Sequence, residues 1–537
     1  SCTVSSRMRI PSPAHYPMKR NAILLLLLVT AGSVLALKIL KATESHNGAG
    51  AKPQITISQE TTFFTEPVRP DGAIDFAAAI IKRLIEGVEP EENAGTYLYR
   101  VFGPIDDLPP SFYAELQIEA PPAQGEYLQY FPLATTDVPE EGWEKVFNDA
   151  SAAVSRPWRR SECPELGEWL EVNRKPLEVV HAAAKCEKFY SPLVLETIDG
   201  DESKGPTPLI AILRLGAIKT RMAGRMLCSR AMLRVGEGDA AGAWSDLLAC
   251  RRLGRLASSG PTLIDALVGH AVENMSSRAM LALLRSTRPT SATIKHYQDG
   301  LEKMPPIPKT SNVANVFERC AYVDAMLAIA LNRSDATAML GVEPGVGKAG
   351  HMLRCATSGS LDWDEALRTG NAHYDRLIAG MELPTHAQRR AAMDKLNADL
   401  KERATLRQFN PRGDRERETA RAFADVIAAL MLPALTKTHE SDASLRQNAS
   451  NLDVVLALCD FLNQQDHYPE QLGELVPEYL PTIPVDEFTG KALIYQRTDT
   501  GYLLYSVGPN MKDEGGRKGR KADDLAVTMD GKVEEAE

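Results

Sequence analysis

Apolar residues recur every three or four positions through most of this 537-residue chain, the spacing of helices that bury one face. "DGAIDFAAAIIKRLIEGVEP" puts Ile74, Phe76, Ala77, Ile80, Ile81 and Leu84 on one stripe, with Gly87 as a stop. From Glu165 to Ser286 the spacing predicts helix after helix. A long one runs from Pro208 to a stop at Gly236 and Gly238. Asp239 then caps a second, with Ala240, Ala243, Trp244, Leu247 and Leu248 facing inward, and Pro261 opens a third. No second copy of this hairpin follows at a fixed period, so an irregular bundle is expected rather than a solenoid. "NVFERCAYVDAMLAIAL" and "ERETARAFADVIAALMLPAL" extend the bundle, and Pro433 is expected to kink or end its helix. After Leu445 a helix carrying Leu452, Val455, Leu456, Leu458, Phe461 and Leu462 leads into a different texture. "KALIYQRTDTGYLLYSVG" reads as two β-rich runs joined by a hairpin near Thr498 to Gly501.

Near the start, Lys19 and Arg20 precede an uncharged run from Ala22 to Leu37 that holds seven leucines. It is a little short of the ~20 residues of a spanning helix, but Lys38 can snorkel to a headgroup. A signal anchor is expected, and the positive-inside rule places the rest of the chain outside the cytoplasm. The alternative is a cleavable signal peptide cut after Val34-Leu35-Ala36, which leaves a secreted protein.

The resulting division is a tail over 1–18, upstream of a possible start at Met18, and an anchor over 19–40. A polar linker over 41–70 follows, then a mixed segment over 71–160 and a helical body over 161–440. A C-terminal helix with a small β module spans 441–532, and an acidic tail over 533–537 is expected to fray. The fold class is mainly α: an N-terminal membrane helix, an irregular multi-helix body and a small C-terminal α+β module.

At 44% hydrophobic and 25% charged residues, the chain has enough apolar content for sizeable cores. Its net charge of -10 argues against a nucleic-acid partner, which calls for a basic face. The eight cysteines show no CxxC or metal-finger spacing, so zinc is not expected. Pairing among them is not legible from spacing, and burial on apolar helical faces is the plainer expectation.

Candidate chemistry is sparse. "GVEPGVGKAG" fails as a phosphate loop, because Gly341 to Gly347 is one residue too long and Ala349 stands where a serine or threonine would hold magnesium. His439-Glu440 lacks the second zincin histidine, since Ala443 occupies that position. His270, beside Leu263 and Leu267, reads as a histidine at an interhelix seam. Arg214, Arg221 and Arg225 form a stripe, and Arg251, Arg252 and Arg255 crowd the next helix. They line either a cleft for acidic ligands or a solvated face paired with neighbouring acids. No serine sits in a GxSxG elbow. A non-catalytic scaffold or interaction protein is therefore expected. The alternatives are an extracytoplasmic hydrolase with its site in the helical body and an accessory of a secretion or pilus-like machine.

Tyr468-Pro469 with Leu472 and Leu475, then "EYLPTIPVDEFTGKALIYQ", "GYLLYSVGPNMKDEGG" and Asp523-Asp524-Leu525 occur in that order over the last 70 or so residues. This segment resembles the soluble C-terminal part of type II secretion major pseudopilins. The resemblance implies a structural calcium held by Ser506, Asn510, Asp513 and one of Asp523 or Asp524. Calcium takes oxygen ligands, and a loop with Gly508, Gly515 and Gly516 can turn carbonyls inward. A solvated turn is the other reading, since "RKGRK" from Arg517 to Lys521 sets four positive charges between the acids. The glycine and glutamate that mark a pseudopilin's filament helix are missing at Ala22, so the resemblance implies a borrowed module rather than a filament subunit. Through "PDGAIDF", "WLEVNRKPLEVV", "FYSPLV" and "MLRVGEGDAAGAWSDLLACRRLGRL" the whole chain resembles membrane-anchored proteins of planctomycete bacteria, which implies anchoring and no particular reaction.

Overall fold

The computed structural model describes residues 53–70, 72–105, 108–133, 142–193, 208–212, 214–331, 361–406, 415–519, 523–529 and 535–536. The expected anchor from Ala22 to Leu37 and the "GVEPGVGKAG" stretch lie outside the described residues.

The chain is mainly helical and ends in a small antiparallel sheet. Short helices come first: α1 (Phe76–Ile85), α2 (Ala94–Phe102), α3 (Pro110–Glu115), α4 (Trp143–Ala152), α5 (Pro164–Val172) and α6 (Arg174–Ala183). Three long ones follow, α7 (Leu215–Gly236), α8 (Ala240–Ala257) and α9 (Leu263–Thr287), then α10 (Ser291–Glu302). A short α11 (Thr310–Val313) passes through a π turn into α12 (Arg319–Ala330). The last helices are α13 (Trp363–Met381), α14 (His386–Leu406), α15 (Arg415–Thr436) and α16 (Thr438–Gln465).

The boundaries follow local chemistry. The Asp75 carboxylate accepts from the Ala78 amide to start α1, and the Asp239 carboxylate accepts from Gly242 to start α8. Thr262 and Asp265 cap each other reciprocally at the head of α9. α8 and α9 cross where Gly254 meets Gly269: a Cβ on Gly269 would lie 2.4 Å from the Gly254 carbonyl oxygen. Only glycine at this crossing lets the two backbones approach so closely. Trp244 stacks on Tyr297 of α10 with ring centroids 3.9 Å apart, sealing the far end of the layer.

Two apolar cores result. One gathers α2 to α10 with α16 and the sheet, around residues such as Leu177, Met226, Leu247, Met280 and Leu456. The other gathers α1 and α12 to α15 around Tyr322, Trp363, Tyr374 and Phe423. Helix α16 packs on α9 and α10 and also carries the sheet, so the helix assigned to the C-terminal segment is part of the body's core.

The sheet orders β1 (Ile494–Thr498), β2 (Gly501–Ser506) and the later strand Leu525–Thr528. β1 and β2 form the expected hairpin, with Thr498 opposite Gly501 and Ile494 opposite Tyr505. Leu525–Thr528 adds antiparallel to β2, with Leu504 opposite Val527. It is numbered β4, because Lys518–Gly519 forms a short β3 that pairs in parallel with β5 (Glu535–Ala536).

Three expectations change. Pro433 lies inside α15, which continues to Thr436: the ring removes one amide donor, and the Thr436 hydroxyl donates to the Pro433 carbonyl. The second half of the expected linker is docked on α13, where the Asn371 amide donates to the carbonyls of Glu60 and Thr61 and buries Thr61 and Thr62. The acidic tail, expected to fray, pairs its backbone at Glu535–Ala536. One helical run among the described residues, Glu416–Gln465, is long and apolar enough to cross a membrane, but 61% of its most apolar window is buried inside the body, as in a core helix.

Candidate functional site

Strand β2 runs straight into the acidic loop. Gly508 has φ +68°, and a Cβ there would lie 2.3 Å from the Asp523 carbonyl oxygen, so glycine is required where the outgoing and returning chains touch. Gly515 and Gly516 also take positive φ and turn the chain back toward β2.

Three of the expected ligands serve the loop itself. The Ser506 hydroxyl accepts from the Gly508 amide at 3.2 Å. Asn510 accepts from the Lys512 amide at 2.6 Å and donates to Glu514 Oε1 at 2.7 Å. Asp513 Oδ1 accepts from the Tyr505 hydroxyl and the Gly515 amide, both at 2.9 Å.

The other two are different. Asp523 Oδ2 accepts from the Asn510 amide at 3.2 Å, and Asp524 Oδ2 accepts from the amides of Gly516 at 2.7 Å and Glu514 at 3.2 Å. The second oxygens, Asp523 Oδ1 and Asp524 Oδ1, are buried without a hydrogen-bond partner, and so is Glu514 Oε2. Glu514, which the sequence reading did not single out, is the acid that faces Asp524.

The electrostatics match this crowding. Burial pushes the Asp524 carboxyl up to about 7; the Gly516 amide opposes the shift, and the facing Glu514 carboxylate adds to it. Burial also raises Asp523, opposed by the Asn510 amide and reinforced by the charges of Glu514 and Glu440. Two carboxylates that face each other with no donor between them need a proton or a cation to be stable together. Oxygen-only donors suit a hard cation in kind, though a calcium shell takes roughly six to eight oxygens. Among the described residues, no group of three or more His, Cys, Asp or Glu side chains is arranged to hold a metal ion.

The loop's module is fixed to the body by a second set of contacts. Glu487 accepts from Arg389 of α14 and from Arg446 of α16, each at 2.8 Å. Its amide donates to Gln447, whose own amide bonds Asn451, and Asn451 donates to the Leu525 carbonyl of β4. Arg390 donates to the Pro509 carbonyl in the loop at 2.8 Å. Beneath these contacts His386 stacks on His439, with centroids 5.0 Å apart, and meets Phe488 edge-on. Burial, with the nearby His439 and Arg389, lowers His386 to about 4; burial lowers His439 as well. His439, weighed as half a zincin motif, is thus part of a neutral stacked pair.

In the body, three of the six arginines singled out from the sequence, Arg214, Arg251 and Arg255, are parts of braces around buried acids. Asp246 is fully buried and is held by Arg230 at 2.6 Å, Arg234 at 2.8 Å and His181 at 3.3 Å. Glu273 is fully buried between Arg255 and Arg251. Arg214 pairs with Asp265 at 3.0 Å. His270 sits at the expected seam, 3.0 Å from the Ser441 hydroxyl and 3.5 Å from Asp442. The six described cysteines are free and buried, as expected of apolar helical faces, and the sulfurs of Cys228 and Cys250 lie 3.5 Å apart. A groove of about 430 Å³ opens beside Asp246, lined by Arg160, Arg174, His181, Arg230, Arg234 and Ser245 among others.

No protein family, curated protein or solved structure matches this chain.

Proposed function

We propose that this protein is a membrane-anchored extracytoplasmic scaffold whose helical body presents an interaction surface and whose C-terminal module is a cap set in place by calcium. The observation that carries the reading is the face-to-face arrangement of Glu514 and Asp524, with Asp523 beside them, in a loop tied to the body through Arg390. Calcium between these carboxylates would replace their shared proton and neutralise the repulsion. The facing pair of Asp524 and Glu514 would hold the ion, with backbone carbonyls of the glycine-rich turn and solvent completing its oxygen shell. Weak calcium sites suit modules outside the cytoplasm, where the ion is abundant, so the loop chemistry and the apolar leader support the same compartment.

The groove beside Asp246 favours a second reading, a hydrolase, because Ser245, His181 and Asp246 line it together. Yet Asp246 is matched by Arg230 and Arg234, and the His181 nitrogen that faces it is Nε2. A serine–histidine relay uses that nitrogen on the nucleophile. The groove therefore reads as the outer edge of a brace.

Fractionation of the expressed chain, with mass spectrometry of its N-terminus, tests the placement. The proposal expects the chain in the membrane fraction with the Ala22–Leu37 segment intact. Full-length protein in the cytosol would overturn it, and a new N-terminus at Leu37 would replace anchoring by secretion.

A further inference from the structure

The arginines of α7, α8 and the first two-thirds of α9 fall into two groups. Arg214, Arg230, Arg234, Arg251 and Arg255 each meet a carboxylate, and Arg252 reaches backbone carbonyls of Lys185 and Cys186. Arg221 and Arg225 of α7 and Arg278 of α9 meet none: among the described residues no acid lies within ion-pair distance of them and no acceptor takes their hydrogens. Arg221 is half-buried, with its Nε–H buried and without a partner; Arg225 and Arg278 are exposed residues whose guanidinium groups are still partly withdrawn from water, which lowers both.

Arg221 and Arg225 lie one turn apart on α7, and Arg221 stands within charge range of both Arg225 and Arg278. Burial lowers the Arg221 guanidinium and the Arg278 charge adds to it; burial lowers Arg225 and the Arg221 charge adds to it. The helices that carry them touch at Gly224, one residue before Arg225, where an added Cβ would come within 2.8 Å of Val272. This crossing is what sets two helices' arginines over one seam. Guanidinium groups gathered without a counter-charge repel one another, and an external anion that joins them relieves that repulsion and can take the buried Arg221 Nε–H. Planar five-donor forks are matched to the oxygens of a phosphate group. Ile218, one turn before Arg221 and Met222 on α7, is 60% exposed and adds an apolar rim.

We infer that Arg221, Arg225 and Arg278 form a binding site for a phosphate group on the α7–α9 face, separate from the acidic loop and from the groove beside Asp246. The phosphate is either free in solution or the headgroup of an anionic lipid, and the test separates the two sources.

The full chain in detergent is titrated calorimetrically with inorganic pyrophosphate and, separately, with short-chain phosphatidylglycerol, using short-chain phosphatidylcholine as the blank. The inference expects saturable binding of at least one phosphate probe. Binding should weaken tenfold or more in the Arg221→Gln, Arg225→Gln, Arg278→Gln triple variant and stay unchanged in Arg100→Gln, which alters an exposed arginine elsewhere. Binding of pyrophosphate assigns the site to free phosphate; binding of phosphatidylglycerol alone assigns it to a lipid headgroup. The melting temperature gives a second readout: with repulsion relieved and no bond lost, the triple variant should melt no lower than wild type. No binding of either probe, equal binding by the triple variant, or a lower melting temperature without ligand would overturn the inference.

Discussion

Buried acids meet opposite fates in the helical body and in the C-terminal loop. Asp246 and Glu273 are fully buried, and each is gripped by two arginines from neighbouring turns or helices. Asp524 is equally buried, but it faces another carboxylate, and its second oxygen has no donor. The lesson is that acidity alone marks nothing: in the body the counter-charge is built into the chain, whereas in the loop it must be a proton or an ion from outside. The same contrast separates the braced arginines of α7 to α9 from Arg221, Arg225 and Arg278.

The largest effect should come from breaking a brace. Glu273→Ala leaves Arg251 and Arg255 buried without their partner, and such a loss costs about 3–5 kcal/mol. Urea unfolding followed by circular dichroism should show the midpoint fall accordingly. A change under about 1 kcal/mol, typical of an exposed pair, would mean that the pair is not buried in solution.

Asp524→Asn should act in the opposite direction. Without added calcium it removes one of two facing charges and supplies an amide donor, so the melting temperature should hold or rise. With calcium present, wild type should gain stability and the variant should not. A variant that melts well below wild type in calcium-free buffer would show that Asp524 is a conventional brace like Asp246.

A smaller effect concerns pH. Asp524 titrates near about 7 in the folded chain against an ordinary 3.8, so it contributes stability that is complete below about pH 4 and is lost as pH rises through 7. His386 lies near about 4 against an ordinary 6.5, so its contribution is complete above about pH 6.5 and is lost as pH falls toward 4. His439 moves in the same direction as His386. In wild type the opposing slopes partly cancel between pH 4 and 7. Asp524→Asn leaves the histidine slope alone, so its unfolding midpoint should fall more steeply on acidification than that of wild type. Parallel profiles for the two proteins would refute the assignment.

How much of this was legible depended on how local its causes are. The α7–α8–α9 layer could be read because apolar spacing, the Gly236–Asp239 junction and the break at Pro261 all lie within a few residues of what they determine. The hairpin at Thr498 to Gly501 was legible for the same reason. The third strand, Leu525–Thr528, was not, because its pairing with β2 is set across the loop.

The site was half legible. Asp523 and Asp524 stood out as a pair, but in "KDEGG" nothing local says which acid turns inward. The positive φ of Gly515 and Gly516 and the amides offered to Asp524 decide it, sending Glu514 in and leaving Asp513 to Tyr505. Likewise the stripe of Arg214, Arg221 and Arg225 looks uniform in sequence, and only the approach of Asp265 separates the first from the other two.

The most direct measurement is calorimetric titration of calcium into the full chain at pH 7.5, repeated in two buffers of different ionisation enthalpy, for wild type and Asp524→Asn. The account predicts saturable binding by wild type with release of part of a proton, seen as a buffer-dependent heat, and its loss in the variant. No calcium heat in wild type, or the same binding in both proteins, would contradict it.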